Sequence, residues 1–250
     1  MSNYSDTEYE IFSRLFILNE FSEKNLIKLS KIKVGVVGVG GIGCPLTQYL
    51  VSSGVKELTI ADGDIVEKSN LNRQILFNLN DVGKKKVHVA KEKLQSINTN
   101  CKITIIDQNI SSKNLFSLSE CSIIVDATDD WMTSKLLNEY CVNNYINFIY
   151  SSALKHDVQI ILFENTKNYK HLCLNCIFPN KNDVDLPRCS SVGISGISAG
   201  LAGLITAQKI INFSLNIKNE TNIMTIFDGI KLNIDNIVIK SKHDCYLNLS

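Results

Sequence analysis

The run Gly38-Val39-Gly40-Gly41-Ile42-Gly43 stands at a switch between two periodicities. Before it, residues 33–38 form a β-branched apolar run. After it, residues 43–53 repeat their apolar side chains at helical spacing and stop at Gly54, a residue suited to closing a helix. Strand, glycine turn and helix start in that order suit a loop that cradles phosphate. The glycines let the backbone turn tightly and approach an anion, and the first N–H groups of the helix point at it. Asp62 and Asp64 follow a second strand at 57–61, about 20 residues on, where an acid can hold ribose hydroxyls.

Outward from this loop the alternation continues. Helical spacing covers 84–97, 113–119 and 131–143, and short β-branched runs cover 102–106, 122–126 and 148–152. Strands alternating with helices predict an α/β fold, a Rossmann-like, doubly wound, mostly parallel sheet. Past residue 153 the pattern changes. The strands 158–163, 223–227 and 237–240 have no helix after each, and Asp228-Gly229 signals a turn between two of them. We expect an antiparallel C-terminal extension, interrupted by a loop at 178–191 and a long helix. The expected division is an N-terminal helical segment (1–30), a nucleotide-binding region (31–153) and the extension (154–250), in one continuous domain.

With 44% hydrophobic residues, 20% charged and a net charge of +1, the composition is that of a soluble globular protein. It offers no electrostatic reason for nucleic acid or an anionic membrane as partner. The acidic first ten residues lack a basic, then apolar, leader, so a cytoplasmic location is expected. The eight cysteines then read as thiols or metal ligands. Cys44, Cys101, Cys121 and Cys141 fall in periodic apolar segments and read as core. Residues 192–213 imitate a membrane helix with a Gly196/Gly200 pair, but Gln208 and Lys209 and the glycine content favour a buried helix at a subunit contact.

The glycine loop alone would suit NAD. The residues beyond it favour ATP. Asn70, Arg73 and Gln74 share a polar stretch, and Lys84, Lys85 and Lys86 open the next helix. Breaking an α–β phosphate bond needs cations around the reacting phosphorus and the departing pyrophosphate, which Arg73 and Lys86 would supply. Lys84 and Lys85 read as a solvated helix face. Asp126-Ala127-Thr128-Asp129-Asp130 lies at the carboxyl end of a strand, where ligands sit in open α/β sheets. One aspartate there can hold Mg²⁺ against phosphates while another caps the following helix. Cys173-Leu-Asn-Cys176 has the spacing of two zinc ligands, though the same cysteines can simply pack. Cys189, beside Arg188 and just before the long helix, is placed to be a reactive thiol or an incidental one.

Together, the GxGGxG loop, the Asp62-Gly-Asp64 pair, Asn70-x-x-Arg73-Gln74 and Thr128-Asp129 resemble the ThiF/MoeB/HesA family, relatives of ubiquitin-activating enzymes, over nearly the whole chain. The resemblance is closest to ThiF. It implies an adenylyltransferase that joins ATP to the C-terminal carboxylate of a small ubiquitin-fold sulfur carrier ending in Gly-Gly. Asp62 and Asp64 would bind ribose or metal, Asn70, Arg73, Gln74 and Lys86 the phosphates, and Asp129 Mg²⁺. Arg14 would reach the ATP of a partner protomer in a homodimer, although by itself it reads as one charge on an amphipathic helix. Cys189 would link covalently to the carrier. A persulfide donor would be a separate protein, because 250 residues hold no rhodanese-like extension. The family's second CxxC is incomplete here: Cys245 is present and Asn248 stands at the fourth position, leaving His243 or His171 to complete a Cys173/Cys176/Cys245 zinc site. Other readings are adenylation of a short peptide in antibiotic-type biosynthesis, a tRNA-modification carboxylate, an NAD-dependent oxidoreductase, or a non-catalytic nucleotide-binding module.

Overall fold

The computed structural model describes residues 5–166, 172–179, 192–217 and 221–240. Eight strands form one sheet in the order β3-β2-β1-β4-β5-β6-β7-β8. The five strands β1 (Lys33–Val37), β2 (Glu57–Ala61), β3 (Lys102–Ile106), β4 (Ile123–Asp126) and β5 (Asn147–Leu154) run parallel. The strands β6 (Asp157–Phe163), β7 (Ile223–Asp228) and β8 (Asn233–Val238) add antiparallel. The expected doubly wound sheet with an antiparallel extension is therefore present. The chain reverses its direction of growth between β3 and β4, so β1 and β4 flank the crevice where such sheets bind ligands.

The helices follow from local chemistry. α1 (Asp6–Ile11) opens on a capping box in which Ser5 and Glu8 satisfy each other's backbone N–H groups. α2 (Glu23–Lys31) buries Leu26 and Leu29. α3 (Gly43–Ser52) ends at Gly54, which adopts φ +103°. α4 (Lys86–Ile97) and α5 (Trp131–Asn143) cross between parallel strands; a single turn, α6 (Leu174–Ile177), precedes the long α7 (Gly196–Leu215). α3 packs on α7, and Leu46 and Leu50 are fully buried in the larger core cluster, worth about 1.5–3 kcal/mol for each side chain. Cys44, Cys101, Cys121 and Cys141 are buried as expected.

Three expectations need correction. The fourth helix begins at Lys86, because Lys85 is extended and bridges antiparallel to Ile65 while Val66 donates to the Lys84 carbonyl. Residues 113–119 hold only a 3₁₀ turn, Leu115–Leu118. The last strand lies earlier than 237–240, at Asn233–Val238, where its register on β7 is fixed by the Asp228–Asn233 hairpin. Among the described residues no helix is long and apolar enough to cross a membrane.

Candidate active site

A cavity of about 1390 Å³ opens at the carboxyl ends of β1, β2 and β4 and extends along β5 and β6. The glycine loop forms its inner wall. Gly38 adopts φ +94°, and a Cβ there would sit 2.7 Å from the Ala127 carbonyl oxygen. At Gly43 a Cβ would meet the Gly38 carbonyl oxygen at 2.0 Å. Both positions therefore demand glycine. Gly40 and Gly41 line the cavity, and the nearest atom to a Cβ on Gly40 would be Gln74 Nε2, 3.7 Å away. Asp62 braces this loop: its carboxylate accepts from the backbone N–H of Val39 at 2.8 Å and of Asp64 at 2.9 Å. Any ribose contact by Asp62 is thus added to a positioning role that the sequence did not show.

The cationic side is built on the turn that follows β2. Asn70 and Gln74 are buried, and Gln74 donates its N–H to the Asn70 carbonyl at 2.9 Å. Gln74 Oε1 has no hydrogen-bond partner among the described residues. Arg73, half-buried, anchors one guanidinium nitrogen on the Ser69 carbonyl (2.9 Å) and Asn72 Oδ1 (3.2 Å) and still lines the cavity. The Lys86 side chain is 6% exposed and pairs with Asp64 at 2.9 Å. Lys84 is exposed, as expected, but it lies before α4 rather than on a helix face and stands 3.8 Å from Asp81. Lys85 departs from it: its ammonium donates to the Gly63 carbonyl at 2.9 Å and pairs with Asp107 at 3.1 Å, holding the loop that carries Asp62 and Asp64.

At the end of β4 the aspartates divide their work. Asp130 caps α5 by accepting from the Thr133 N–H at 2.9 Å. Asp129 is exposed to the cavity and makes no hydrogen bond among the described residues. Asp126, which the sequence reading did not select, is fully buried. Burial pushes its carboxyl up to about 6, against the hydrogen bonds from Thr128, while its Oδ2 has no partner among the described residues. Its Oδ1 accepts from Thr128 N (3.0 Å) and Oγ1 (2.7 Å), fixing the turn that presents Asp129. Among the described residues no group of three or more His, Cys, Asp or Glu side chains could by itself hold a metal ion, so a magnesium ion here would rely also on ligands other than protein. Mg²⁺ keeps waters and phosphate oxygens and needs only one or two carboxylates, which Asp129 and the 62%-exposed side chain of Asp64 offer.

The remaining candidates lie elsewhere. Arg14 is exposed in a turn beyond α1, not on a helix, and does not line the cavity of its own chain. Cys173 and Cys176 are buried with their sulfurs 3.8 Å apart. Two thiolates on one tetrahedral ion at 2.3 Å would stand ~3.8 Å apart, but a thiol–thiol hydrogen bond gives the same separation, and among the described residues no group of three or more His, Cys, Asp or Glu could hold a metal ion. Cys189, Cys245, His171, His243, Arg188 and Asn248 lie outside the described residues. Tyr150, Ser152 and Gln159 also line the cavity and were missed; in sequence their alternation looks like an ordinary solvent-facing strand edge.

A glycine loop at a topological switch point, cations beside it and a carboxylate facing it define a Rossmann-like nucleotide-binding α/β domain with an antiparallel extension. More particularly, the chain belongs to the ThiF family, whose sequence profile matches residues 12–247. It is 32% identical to the adenylyltransferase and sulfurtransferase MOCS3 of Culex quinquefasciatus over 98% of this chain and 56% of that protein. It is 29% identical to the probable molybdopterin-synthase adenylyltransferase of Porphyra purpurea over 87% of this chain and 57% of that one. The chain thus spans little more than half the length of these curated relatives. Its fold matches the crystal structure of E. coli MccB with ATP, with a TM-score of 0.83 at 23% identity over 96% of this chain and 75% of that one. It also matches PaaA, with a TM-score of 0.81 at 20% identity over 96% of this chain and 76% of that one.

Proposed function

We propose that this chain is an adenylyltransferase that uses ATP to activate the C-terminal carboxylate of a small ubiquitin-fold carrier ending in Gly-Gly, ahead of thiocarboxylate formation. The observation that carries the reading is that Arg73, the buried Lys86 and the exposed Asp129 line one cavity with the glycine loop. The names of the relatives support it, since both are adenylyltransferases.

In this reading a carboxylate oxygen attacks the α-phosphorus, a new C–O–P linkage forms, and the bond to the β-phosphate oxygen breaks to release pyrophosphate. The attacking carboxylate is already ionised at neutral pH, so no general base is needed. The chain's own residues position and neutralise. The Gly40–Gly41 backbone and the start of α3 approach the phosphates, Asn70 and Gln74 offer side-chain amides, and Arg73 and Lys86 balance charge gained by the leaving group. Lys86 exchanges its bond to Asp64 for phosphate. Asp129, aided by Asp64, would hold Mg²⁺, which supplies further charge neutralisation on the phosphate oxygens. The Cys189 thiolate would then attack the acyl carbonyl and expel AMP, forming a thioester, and Cys173, Cys176 and Cys245 would hold a structural zinc.

Labelled pyrophosphate should exchange into ATP only when Mg²⁺ and an acceptor with a free C-terminal carboxylate are present. Losing one charged phosphate ligand costs about 2–4 kcal/mol in the transition state. Arg73→Ala and Lys86→Ala should therefore each lose ~10²-fold or more of exchange while remaining folded. Tight NAD binding without ATP binding would replace this reading with the oxidoreductase one. A second reading keeps the chemistry and changes the acceptor to a short peptide. It is favoured by the fold shared with the microcin C7 biosynthetic enzyme MccB, whose crystal structure holds N-formylated MccA.

A further inference from the structure

The cavity is larger than one nucleotide requires. Its volume of about 1390 Å³ exceeds the ~300–1,000 Å³ of a pocket for one small ligand. The β5–β6 hairpin also lines this cavity, and its two faces differ in chemistry. The back face packs on α7, and its buried polar groups are satisfied: Thr206 donates to Ser151 Oγ at 2.9 Å, and Ser198 Oγ donates to the His156 carbonyl at 2.9 Å. On the cavity face Ser152 stands directly across from Gln159. Both are partly buried, and neither side chain makes a hydrogen bond among the described residues.

The hairpin tip is held in place. Lys155 at its tip adopts φ +53°, a left-handed conformation that costs an L-residue energy. It is fixed there because its N–H donates to the Gly193 carbonyl (3.1 Å) and its carbonyl accepts from Ser195 N (2.7 Å). The outer end of the lobe carries one charge of each sign, Lys155 and Asp157, so the lobe selects for neither. What it does offer is a paired donor and acceptor. A Gln amide and a Ser hydroxyl both donate and accept, which matches the N–H and C=O of a peptide unit. An acid with only an alkyl chain behind its carboxylate would desolvate these groups and leave them unpaired, at a cost.

Taking the chain to be an adenylating enzyme, as proposed above, we infer that Gln159 and Ser152 recognise the acyl substrate by gripping the last peptide bond before its carboxylate. They are positioning and specificity residues, and they admit the end of a peptide chain while rejecting small free acids.

Trp131, the one tryptophan of the chain, lines the same cavity and reports binding. Its fluorescence would be titrated, at saturating non-hydrolysable ATP analogue, with three probes. They are a heptapeptide ending in Gly-Gly, the same peptide with an ester in place of its last amide, and hexanoate. The wild-type protein should bind the amide roughly tenfold tighter than the ester and hexanoate weakest. Gln159→Leu and the milder Ser152→Ala should weaken the amide peptide, shrink its advantage over the ester and leave ATP affinity unchanged, which also shows that both variants fold. The inference is overturned if the amide preference survives both substitutions, if hexanoate binds as tightly as the peptide, or if none of the three probes binds. Pyrophosphate exchange run beside the titration separates the two levels. Exchange driven by hexanoate would leave adenylation standing and remove the role of the hairpin. Peptide binding with the expected preference but no exchange would contradict adenylation alone.

Discussion

Asp126 shows how one residue balances stability against site geometry. Its carboxyl is fully buried beneath Thr128 and is pushed from 3.8 to about 6, chiefly by burial. The folded protein therefore holds this proton more tightly than the unfolded chain does. Stability falls as pH rises between about 4 and 6, and the penalty is complete above that window. The displacement corresponds to roughly 3 kcal/mol. Asp126→Asn keeps an oxygen to accept from Thr128 and removes the charge. We predict that the variant melts at a higher temperature than wild type at pH 7.5 and that the advantage disappears by pH 4. Equal melting temperatures at pH 7.5 would show that the ionised carboxylate is satisfied where it lies. Glu8 is the opposite case. Burial would raise its carboxyl, but the hydrogen bonds from Lys56 and the Ser5 N–H outweigh it and hold it down to about 2.

At the scale of elements, the β1–α3 turn depends on a partner from β2. Asp62 accepts from Val39 and Asp64 N–H groups with its two oxygens. Asp62→Asn keeps one acceptor and turns an amide N–H₂ against the other donor. A buried donor left unmet costs about 1–3 kcal/mol. Calorimetry should therefore find ATP affinity lowered by ~10- to 100-fold, with little change in overall secondary structure. Unchanged affinity would mean that the loop keeps its shape without this brace. The turn itself was legible because its signals are local: a β-branched run, glycines where no Cβ fits, and a helix start. The beginning of α4 was not legible. Lys84 and Lys85 suit a helix by propensity, but Ile65 and Val66, about 20 residues away in sequence, pair with them. The roles of Asp129 and Asp130 stayed open in sequence for the same reason: either can cap α5, and only the placement of Asp126 and Thr128 decides between them. The cavity face of β5 and β6 was invisible, because Ser152 and Gln159 alternate with buried residues just as solvent-facing side chains do.

For the whole molecule, the long helix α7 leaves a stripe uncovered. Ile197 is 77% exposed, Leu204 is 36% exposed, and a Cβ on Gly200 between them would touch nothing within 4 Å. Arg14 lies outside the cavity of its own chain, so the role that the family resemblance implies for it requires a homodimer, which we propose. Twofold symmetry allows a mixing test. Arg14→Ala and Asp129→Ala chains should each be inactive alone. Co-expressed, about half the dimers are mixed, and each has one site with both groups intact, so activity should return to roughly a quarter of wild type. Persistent inactivity in detected mixed dimers would leave Arg14 as a surface charge. The central claim concerns which bond forms, and an isotope reads it directly. An acceptor labelled with ¹⁸O in its C-terminal carboxylate would be incubated with ATP and Mg²⁺, and the activated product trapped with hydroxylamine. Attack on the α-phosphorus predicts that one labelled oxygen leaves with AMP and none with pyrophosphate. Label in inorganic phosphate, or ADP as the nucleotide product, would contradict the account.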